Sequence, residues 1–313
     1  MTERTAARHT AAAVPDDPVV GHGRASVGVH HGEILQGAFE ERGEVHRGLV
    51  TLPCDLYSVT ATYSVGGGDE VTVVPPWKHK ARRAAVATLA ALDRRRWGGV
   101  LRLGNQVPPA RGFGSSTSDV VAAIRAVQNA IGDELTPPEV ARLAVQAETA
   151  SDSLMFDGLP VLFAQRRGIV LEQFDAPLPA ITVLGFGTSV DGRGVDTLAL
   201  PPAAYGRREV EMFSHLRRGL RLALRERDVT LLGQVATESA MMNLPHLPIT
   251  GFDRILRIAR RCGASGVQTA HSGDIAGLIF DGLDPDLARR IALSEELLLA
   301  AGVEQTWQFS TER

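Results

Sequence analysis

The chain is organised around residues 108–118, which read PPARGFGSSTS. Two glycines flank Phe113, and four hydroxyl residues follow them. From Val120 to Ile131 the apolar residues then recur at intervals of four, three and four, which is the period of a helix. The sequence therefore predicts a glycine-rich turn that leads into the N-terminus of a buried helix.

Such a turn is suited to binding an anion. Glycine lets backbone N–H groups approach a ligand closely, and the helix start adds unpaired N–H groups and the positive end of the helix dipole. Phosphate is the usual ligand of this arrangement, and one of the hydroxyl groups could reach a Mg²⁺ ion bound to the phosphate. An ordinary loop in which serines cap the helix remains the alternative.

Two other phosphate-binding motifs are excluded. A Walker A loop has a lysine directly after its last glycine, and residues 108–118 contain no lysine. A Rossmann fingerprint follows the first strand directly, whereas this stretch lies about a third of the way along the chain. Neither a P-loop NTPase nor a dinucleotide-binding protein is therefore expected.

Composition limits the possible classes of protein. The chain has 313 residues, which is enough for two domains of ~150 residues. Its net charge of −3 gives no reason to expect nucleic acid or an anionic membrane as a partner, and it has no apolar run of ~18 residues that would span a bilayer. Cys54 and Cys262 show no metal-binding spacing, so we expect a reduced, cytoplasmic protein. Residues 1–17 lack an apolar segment and are expected to form a disordered tail.

The string at residues 108–118 resembles the second motif of the GHMP kinases, which usually reads P-x-x-x-G-L-G-S-S-A. Two further stretches agree with that family. Residues 31–37, HGEILQG, resemble its first motif, and residues 270–273, AHSG, lie in a glycine loop that resembles its third. Both stretches are most similar to the forms found in the L-threonine kinases. Three motifs in the family's order argue against coincidence.

The order of the predicted elements, mixed strands and helices in two halves, implies an α+β protein. The resemblance implies the two-domain fold of the GHMP kinases. The N-terminal domain, expected over residues 18–170, would be a ribosomal-protein-like sandwich that binds ATP. The C-terminal domain, expected over residues 171–313, would be ferredoxin-like. At the start of the first domain, residues 18–37 are short apolar pieces separated by glycines, and they predict a strand, a tight turn and a second strand.

The resemblance also implies a site for ATP and Mg²⁺. The second motif wraps the triphosphate in the family, which assigns ATP binding to Pro109, Gly112, Phe113, Gly114, Ser115, Ser116, Thr117 and Ser118. Ser116 and Glu148 would hold Mg²⁺, and Asp152 would be the catalytic base. The family spacing between the last two roles is longer, so Asp157 remains a second candidate for the base. A turn carboxylate without a catalytic role is the alternative for Asp152.

Substrate contacts are expected from three regions of the chain. The residues concerned are His31, Gly32, Glu33, Gln36, Asp196, Thr197, His271, Ser272 and Gly273. Each region could instead be an ordinary turn, with its histidines serving only as hydrogen-bonded loop residues. Since His30 and His31 are neighbours on a predicted strand, they face opposite ways, and a shared metal is not expected.

One departure from the family concerns lysine. Many GHMP kinases pair the catalytic Asp with a lysine of the first motif, but the only lysines here are Lys78 and Lys80. Arg24 could supply the charge, although arginine has a different shape and does not titrate. We therefore expect catalysis mainly by bringing a hydroxyl close to a polarised γ-phosphate. The five arginines of residues 82–96 are interpreted as a solvated helix face, with adenine or phosphate contact as the lesser alternative.

The implied reaction is transfer of the γ-phosphoryl group of ATP to the side-chain hydroxyl of an amino acid. L-Threonine is the best candidate, with O-phospho-L-threonine as the product. The alternatives are a kinase for another hydroxy amino acid or amino alcohol, and a non-catalytic ATP-binding regulator on the same scaffold. The expected partner is a small hydroxyl-bearing substrate, a homodimer is possible, and no nucleic acid or membrane is expected.

Overall fold

The computed structural model describes residues 21–105, 107–108, 111–189 and 203–311. The elements of the N-terminal half are β1 (His22–Glu41), β2 (Glu44–Val65), β3 (Gly68–Val74), α1 (His79–Ala91), β4 (Trp97–Asn105), α2 (Ser115–Ile131), α3 (Pro137–Glu148), β5 (Val161–Ala164) and β6 (Ile169–Gln173). The elements of the C-terminal half are β7 (Ile181–Gly187), α4 (Arg207–Glu226), α5 (Val229–Asn243), α6 (Phe252–Cys262), β8 (Gly266–Thr269), β9 (Ile275–Asp281), α7 (Leu287–Ala300) and β10 (Thr306–Ser310). The expected tail and the predicted site residues Pro109, Asp196 and Thr197 lie outside the described residues.

The described strands form one ten-stranded sheet to which both halves of the chain contribute. Its order is β10-β7-β9-β8-β1-β2-β4-β3, and the β5–β6 pair joins it at β2. Strands β3 and β4 run parallel, and the other pairs are antiparallel. A pair between Glu33 on β1 and Thr269 on β8 links the two halves. This mixed architecture confirms the α+β class, and the division after residue 170 stays a prediction.

Strand β1 differs from the sequence prediction. Residues 22–41 form one continuous strand, so the predicted tight turn is wrong. The pairing of β1 with β2 shifts register at three places between Gly28 and Leu35. Gly32 has a φ of +64°, and a Cβ at this position would lie 2.7 Å from the carbonyl oxygen of Thr269. The glycine therefore makes a bulge instead of a reversal, and a bulge changes the direction of the side chains around it.

Helix α2 packs on the sheet as the apolar period predicts. Val120, Ile124 and Val127 are completely buried, whereas Ile131 is partly exposed at the end of the helix. The helix contacts β1 and β2 on one side and has α1 and α3 as neighbours. Because α2 begins at Ser115, the glycine-rich turn lies at its mouth, between the sheet and two other helices.

The arginines of α1 do more than form a solvated face. The guanidinium group of Arg82 donates to the carbonyl oxygen of Val71 at 2.6 Å, and that of Arg83 donates to the carbonyl oxygen of Ala147 at 2.9 Å. These bonds tie α1 to β3 and to the end of α3. Both residues are exposed, as a solvated face requires, and they also hold neighbouring elements in place.

The two cysteines form no disulfide. Cys54 and Cys262 are both buried free thiols, and each packs within a hydrophobic cluster. In the part of the chain that the structure describes, no helix is both long and apolar enough to cross a membrane.

Candidate active site

Gly112 and Gly114 shape the turn before α2. Their φ values are +103° and +67°, in the left-handed region that glycine enters without steric cost. A Cβ on Gly114 would overlap the ring of His30 and would lie 3.3 Å from Asp152 Oδ2. The main chain of the turn is therefore packed directly against side chains from β1 and from the segment after α3.

The hydroxyl residues of the first turn of α2 have different surroundings. Ser116 Oγ donates to Glu148 Oε2 at 2.7 Å, and Thr117 Oγ1 donates to Glu148 Oε1 at 3.0 Å. Ser118 is buried, and its hydroxyl donates to the carbonyl oxygen of Gly28 at 3.0 Å. The first two hydroxyl groups therefore face the carboxylate at the end of α3, and Ser118 serves the packing of α2 on β1.

Glu148 has the chemistry expected of a ligand for a divalent cation. Burial raises the pKa of Glu148 to about 7, because the charged form loses its water, although hydrogen bonds and a nearby ammonium oppose this shift. A cation beside the carboxylate would favour its ionised form. Mg²⁺ prefers oxygen ligands. The pair of Ser116 and Glu148 therefore fits the ion that the motif implies.

Lys80 lies beside this pair, although the sequence did not mark it as a site residue. Its ammonium group donates to Ser116 Oγ at 3.0 Å and lies 3.8 Å from Glu148 Oε2. Lys78 contacts Asp119 on α2. The start of α1 thus brings positive charge to the mouth of α2. The sequence did contain a signal for this role, because the chain has only two lysines and both lie at the start of a predicted helix.

Asp152 stands at the opening of the site, with 21% of its side chain exposed. Its Oδ2 accepts a hydrogen bond from His30 Nε2 at 2.9 Å and lies 3.1 Å from Thr117 Oγ1. Burial on its own raises the pKa of Asp152, but the charge and hydrogen bond of His30 outweigh burial and hold the pKa below its ordinary value. Within the described part of the chain both contacts fall on Oδ2, which leaves Oδ1 for a ligand.

Asp157, the second candidate for the base, lies on the protein surface. Its side chain is 83% exposed and forms an ion pair with Arg125 at 3.0 Å. The contacts of Asp152 with His30 and Thr117 place it at the mouth of α2. The geometry therefore favours Asp152 over Asp157.

His30 connects Asp152 to a second, deeper carboxylate. Its Nδ1 lies 3.8 Å from Glu33 Oε1, and these two side chains are 5% and 0% exposed. Burial on its own lowers the pKa of His30, but the charges of Asp152 and Glu33 and the hydrogen bond to Asp152 raise it to about 9. Burial raises the pKa of Glu33 to about 8. Neither carboxylate oxygen of Glu33 has a hydrogen-bond partner among the described residues.

Two predicted site residues have side chains that turn inward. Phe113 packs edge-on against Tyr57, with 5.3 Å between ring centroids, and lies 5.5 Å from Trp307. His31 is completely buried, contacts Gln268, and accepts a hydrogen bond from Trp307 Nε1 at 2.9 Å. Burial lowers the pKa of His31 to about 3, so its ring is neutral. Phe113 can therefore offer a nucleotide only its main chain, and His31 has the surroundings of a hydrogen-bonded packing residue.

The glycine loop before β9 packs against the turn before α2. A Cβ on Gly112 would lie 2.6 Å from the carbonyl oxygen of Ser272, and Gly273 has a φ of +106°. The N–H of Asp274 donates to the carbonyl oxygen of Arg111 at 3.0 Å, and the Arg111 guanidinium donates to the Asp274 carboxylate at 2.7 Å. The second and third motifs, far apart in sequence, therefore form one surface.

Gln36 and His271 meet beside this surface. Gln36 Oε1 lies 2.8 Å from His271 Nδ1. The main chain of Gln36 is held by α5, since its N–H donates to Ser239 Oγ at 2.9 Å and its carbonyl oxygen accepts from Asn243 Nδ2 at 2.9 Å. Ser272, next in the loop, is exposed. Helix α5 of the C-terminal half therefore positions a predicted substrate residue of β1.

The assembled groups suit the transfer of a phosphoryl group. A helix mouth and an ammonium group can bind phosphate oxygens, a hydroxyl and a carboxylate can hold Mg²⁺, and an ionised Asp can orient an alcohol. Phosphoryl transfer needs little else, because its catalysis is mainly positioning and neutralisation of charge.

Comparison with known proteins agrees with this chemistry. Residues 80–164 match the family model described as GHMP kinases N terminal domain. Residues 80–164 therefore carry the N-terminal domain of the GHMP kinases, and the chain is a phosphotransferase with a hydroxyl group as acceptor. It is similar to the L-threonine kinase of Salmonella typhimurium, with 29% identity over 268 residues that cover 82% of this chain and 83% of that protein.

Two further relatives extend the comparison. The homoserine kinase of Moorella thermoacetica is 26% identical over 234 residues, which cover 73% of this chain and 78% of that protein. The solved structure of homoserine kinase from Cytophaga hutchinsonii matches with a TM-score of 0.66 at 15% identity, over 94% of this chain and 95% of that one. The structural match confirms the GHMP kinase fold expected from the three motifs.

Proposed function

We propose that this chain is an ATP-dependent kinase that phosphorylates the side-chain hydroxyl of an amino acid, with L-threonine as the acceptor and O-phospho-L-threonine as the product. The similarity to an L-threonine kinase over 82% of the chain supports this acceptor. The similarity to a homoserine kinase supports the wider class of hydroxy amino acids. A kinase for another hydroxy amino acid or an amino alcohol, and an ATP-binding regulator without activity, are the alternatives.

The position of Asp152 is the observation that carries the proposal. Its carboxylate lies at the mouth of α2, 3.3 Å from the point where a Cβ of Gly114 would be. In the proposed complex, main-chain N–H groups of residues 112–116 bind the β- and γ-phosphates with the help of the helix dipole. Asp152 Oδ1 then orients the acceptor hydroxyl and takes its proton as a general base. A protein that only bound ATP would have no need of a carboxylate at this point.

The proposed Mg²⁺ ligands are Ser116 and Glu148, and the ion would neutralise charge on the phosphates. Lys80, 3.0 Å from Ser116 Oγ, adds a second positive charge at the same place. Thr117 Oγ1 lies within 3.1 Å of both Glu148 and Asp152. Because a hydroxyl has one proton, Thr117 can donate to one of the two carboxylates at a time, and it couples the proposed metal ligand to the proposed base.

The acceptor is proposed to lie between the mouth of α2 and the surface formed by Gln36, His271, Ser272 and Gly273. The substrate roles of residues 196 and 197 stay predictions. The two-domain division, a cytoplasmic location and a homodimer also stay predictions. Light scattering on the purified protein would test the homodimer.

An acceptor screen tests the proposed function. The purified protein is given Mg²⁺ and ATP with L-threonine, L-serine, L-homoserine or 1-amino-2-propanol, and ADP release is measured. The product is identified by ³¹P NMR and mass spectrometry. We expect the highest kcat/KM with L-threonine.

Each other outcome has a separate meaning. A higher kcat/KM with another of these alcohols would show that the acceptor assignment is wrong while the reaction class is right. Binding of ATP in calorimetry without ADP release from any acceptor would support the regulator instead.

A further inference from the structure

We propose that His30 is a positioning residue for the phosphoryl transfer, because its ring, bonded to Asp152, keeps the Asp152 carboxylate ionised and aimed at the mouth of α2. This inference rests on the proposed function, which makes Asp152 the base. It assigns to a histidine of β1 the positive charge that no lysine of the first motif can supply here.

Contacts on three sides fix the ring of His30. Its Nε2 lies 2.9 Å from Asp152 Oδ2, and its Nδ1 lies 3.8 Å from Glu33 Oε1. Its main-chain N–H donates to the carbonyl oxygen of Phe113 at 3.2 Å, and the missing Cβ of Gly114 leaves the space that the ring occupies. The ring therefore belongs to the same rigid unit as the turn before α2.

His30 acts through Asp152 and not on the substrate itself. Its side chain is 5% exposed, whereas that of Asp152 is 21% exposed. Its Nε2 is bonded to Asp152 Oδ2, and its Nδ1 is buried 3.8 Å from Glu33 Oε1. An acceptor alcohol could reach Asp152 Oδ1 but not the ring.

The charged groups around the ring favour the imidazolium form. Asp152, from the segment after α3, is the charged partner at pH 7. Glu33, from β1 itself, has a pKa raised to about 8 and adds its charge only as the pH rises toward that value. The other titratable neighbours are His31 on β1 and His271 in the loop before β9, and burial lowers the pKa of both rings, to about 3 and about 4. Both neighbours are neutral at pH 7. In the described ranges, His30 is the one side chain that forms an ion pair with Asp152.

The arrangement differs from that of a metal site. The ligand atoms of His30, Glu33 and Asp152 lie within 4.8 Å of one another, close enough to hold an ion. However, His30 Nε2 is already bonded to Asp152 Oδ2 at 2.9 Å, so this nitrogen has no lone pair left for an ion. The cation that this geometry accommodates is the protonated ring.

Among the described residues, neither lysine supplies positive charge to Asp152. Lys80 is engaged with Ser116 and Glu148, and Lys78 with Asp119. The pKa of His30, raised to about 9, keeps the ring protonated through the neutral range. As the pH rises through that value the ring becomes neutral, Asp152 loses its cationic partner, and the rate of transfer falls.

The first test is kinetic and uses His30→Gln, with His22→Gln as the matched control. His22 is an exposed histidine of the same strand that bonds Ser64 at 3.0 Å. We expect His30→Gln to lower kcat about 10- to 100-fold, with the KM for ATP changed by less than about threefold. We expect the alkaline limb of the wild-type pH–rate profile, near pH 9, to be absent from this variant, and His22→Gln to behave as wild type.

The second test detects the ion pair between His30 and Asp152 by NMR and does not depend on enzymatic activity. Long-range ¹H–¹⁵N NMR follows the imidazole signals with pH, and the signal that is missing from His30→Gln assigns the residue. We expect the His30 pKa to be above 8 in the wild type and to fall by at least about one unit in Asp152→Asn. The NMR titration needs no turnover, so it also applies if no acceptor is found.

The outcomes separate the two claims. If Asp152→Asn is inactive while His30→Gln keeps the wild-type kcat and alkaline limb, the inference about His30 is overturned and the proposed function stands. If no acceptor is phosphorylated but the His30 titration depends on Asp152, the proposed function fails and the ion pair is real. Imidazole signals of His30 that shift with added diamagnetic Zn²⁺ and not with pH would indicate a metal site and overturn the inference.

Discussion

At the scale of single residues, burial and the contacts between charged groups together set the protonation states of the site. Glu33, His30 and Asp152 form one cluster, with side chains 0%, 5% and 21% exposed. Burial disfavours the charged form of each group, and the contact between His30 and Asp152 reverses that effect for both of them. Glu33 has no such close partner, so burial decides its pKa.

Replacing Asp152 with Asn tests the base. The amide cannot accept the proton of the acceptor, so we expect kcat to fall by about 10²- to 10⁴-fold in a steady-state assay. Asp157→Asn is the matched control, since its side chain is 83% exposed and pairs with Arg125 on the surface. A larger loss in Asp157→Asn than in Asp152→Asn would reverse the two assignments.

Replacing Glu33 with Gln tests the effect of burial on stability. The pKa of Glu33 is about 8 in the folded protein and ordinarily 4.5, so the unfolded chain releases this proton first and stability falls as the pH rises between those values. Gln removes that penalty. We expect Glu33→Gln to unfold at the same temperature as wild type near pH 5, and to be more stable at pH 8 by on the order of 1–3 kcal/mol.

Thermal unfolding followed by circular dichroism at several pH values measures this difference. Glu44→Gln is the control, because the Glu44 side chain is 69% exposed and its removal is expected to change little. A difference between Glu33→Gln and wild type that did not grow with pH would show that Glu33 is ionised at little cost.

At the scale of elements, the two ends of α2 have different surroundings. Its N-terminus faces the site through Gly114, with a φ of +67°, and its C-terminus ends in solvent at Gly132, with a φ of +81°. A Cβ at Gly114 would overlap the ring of His30, whereas a Cβ at Gly132 would have no neighbour within 4 Å. The two glycines share a backbone requirement but differ in what surrounds them.

This difference predicts different effects of alanine at the two ends of α2. Gly132→Ala should cost about 1–2 kcal/mol of stability, since alanine is strained in the left-handed region, and Gly114→Ala should cost more because its methyl group also overlaps the His30 ring. Gly114→Ala should also displace His30 and abolish the proposed transfer, while Gly132→Ala keeps its kcat. Denaturant unfolding and the ADP-release assay measure the two effects, and an active Gly114→Ala variant would argue against the site at this mouth.

At the scale of the whole molecule, the site lies where the two halves of the chain meet. One main-chain pair joins β1 to β8 at Glu33 and Thr269, and the two glycine loops pack against each other at Gly112 and Ser272. The neutral ring of His31 bridges the same boundary by accepting a hydrogen bond from Trp307 at 2.9 Å. Contacts that hold the halves together therefore also hold the site together.

Trp307→Phe tests this boundary. The substitution leaves the buried Nε2 of His31 without its donor, so we expect a loss of about 1–3 kcal/mol in the free energy of unfolding, measured with urea. Trp77→Phe is the control because Trp77 is 70% exposed. If the two variants were equally stable, the bond between Trp307 and His31 would contribute nothing to the union of the halves.

The site could be predicted in part because its main-chain components are local. The glycines and the apolar period of residues 108–131 describe a turn and a helix that form within one stretch, and Ser116 lies in that stretch. Lys80 and His30 could not be assigned in this way. Lys80 reaches Ser116 only because α1 packs beside α2, and His30 reaches Asp152 across 122 positions of the sequence.

The sequence by itself determined the α+β class, the turn before α2 and the order of the three motifs, because turn glycines and helical periods act over a few neighbouring residues. Only the tertiary structure decided which side chains face the turn. Strand β1 continues through a bulge at Gly32, the side chain of Phe113 packs against Tyr57, and His30 bonds Asp152. These outcomes depend on which surfaces pack together, and packing between distant segments leaves no period or spacing in the chain.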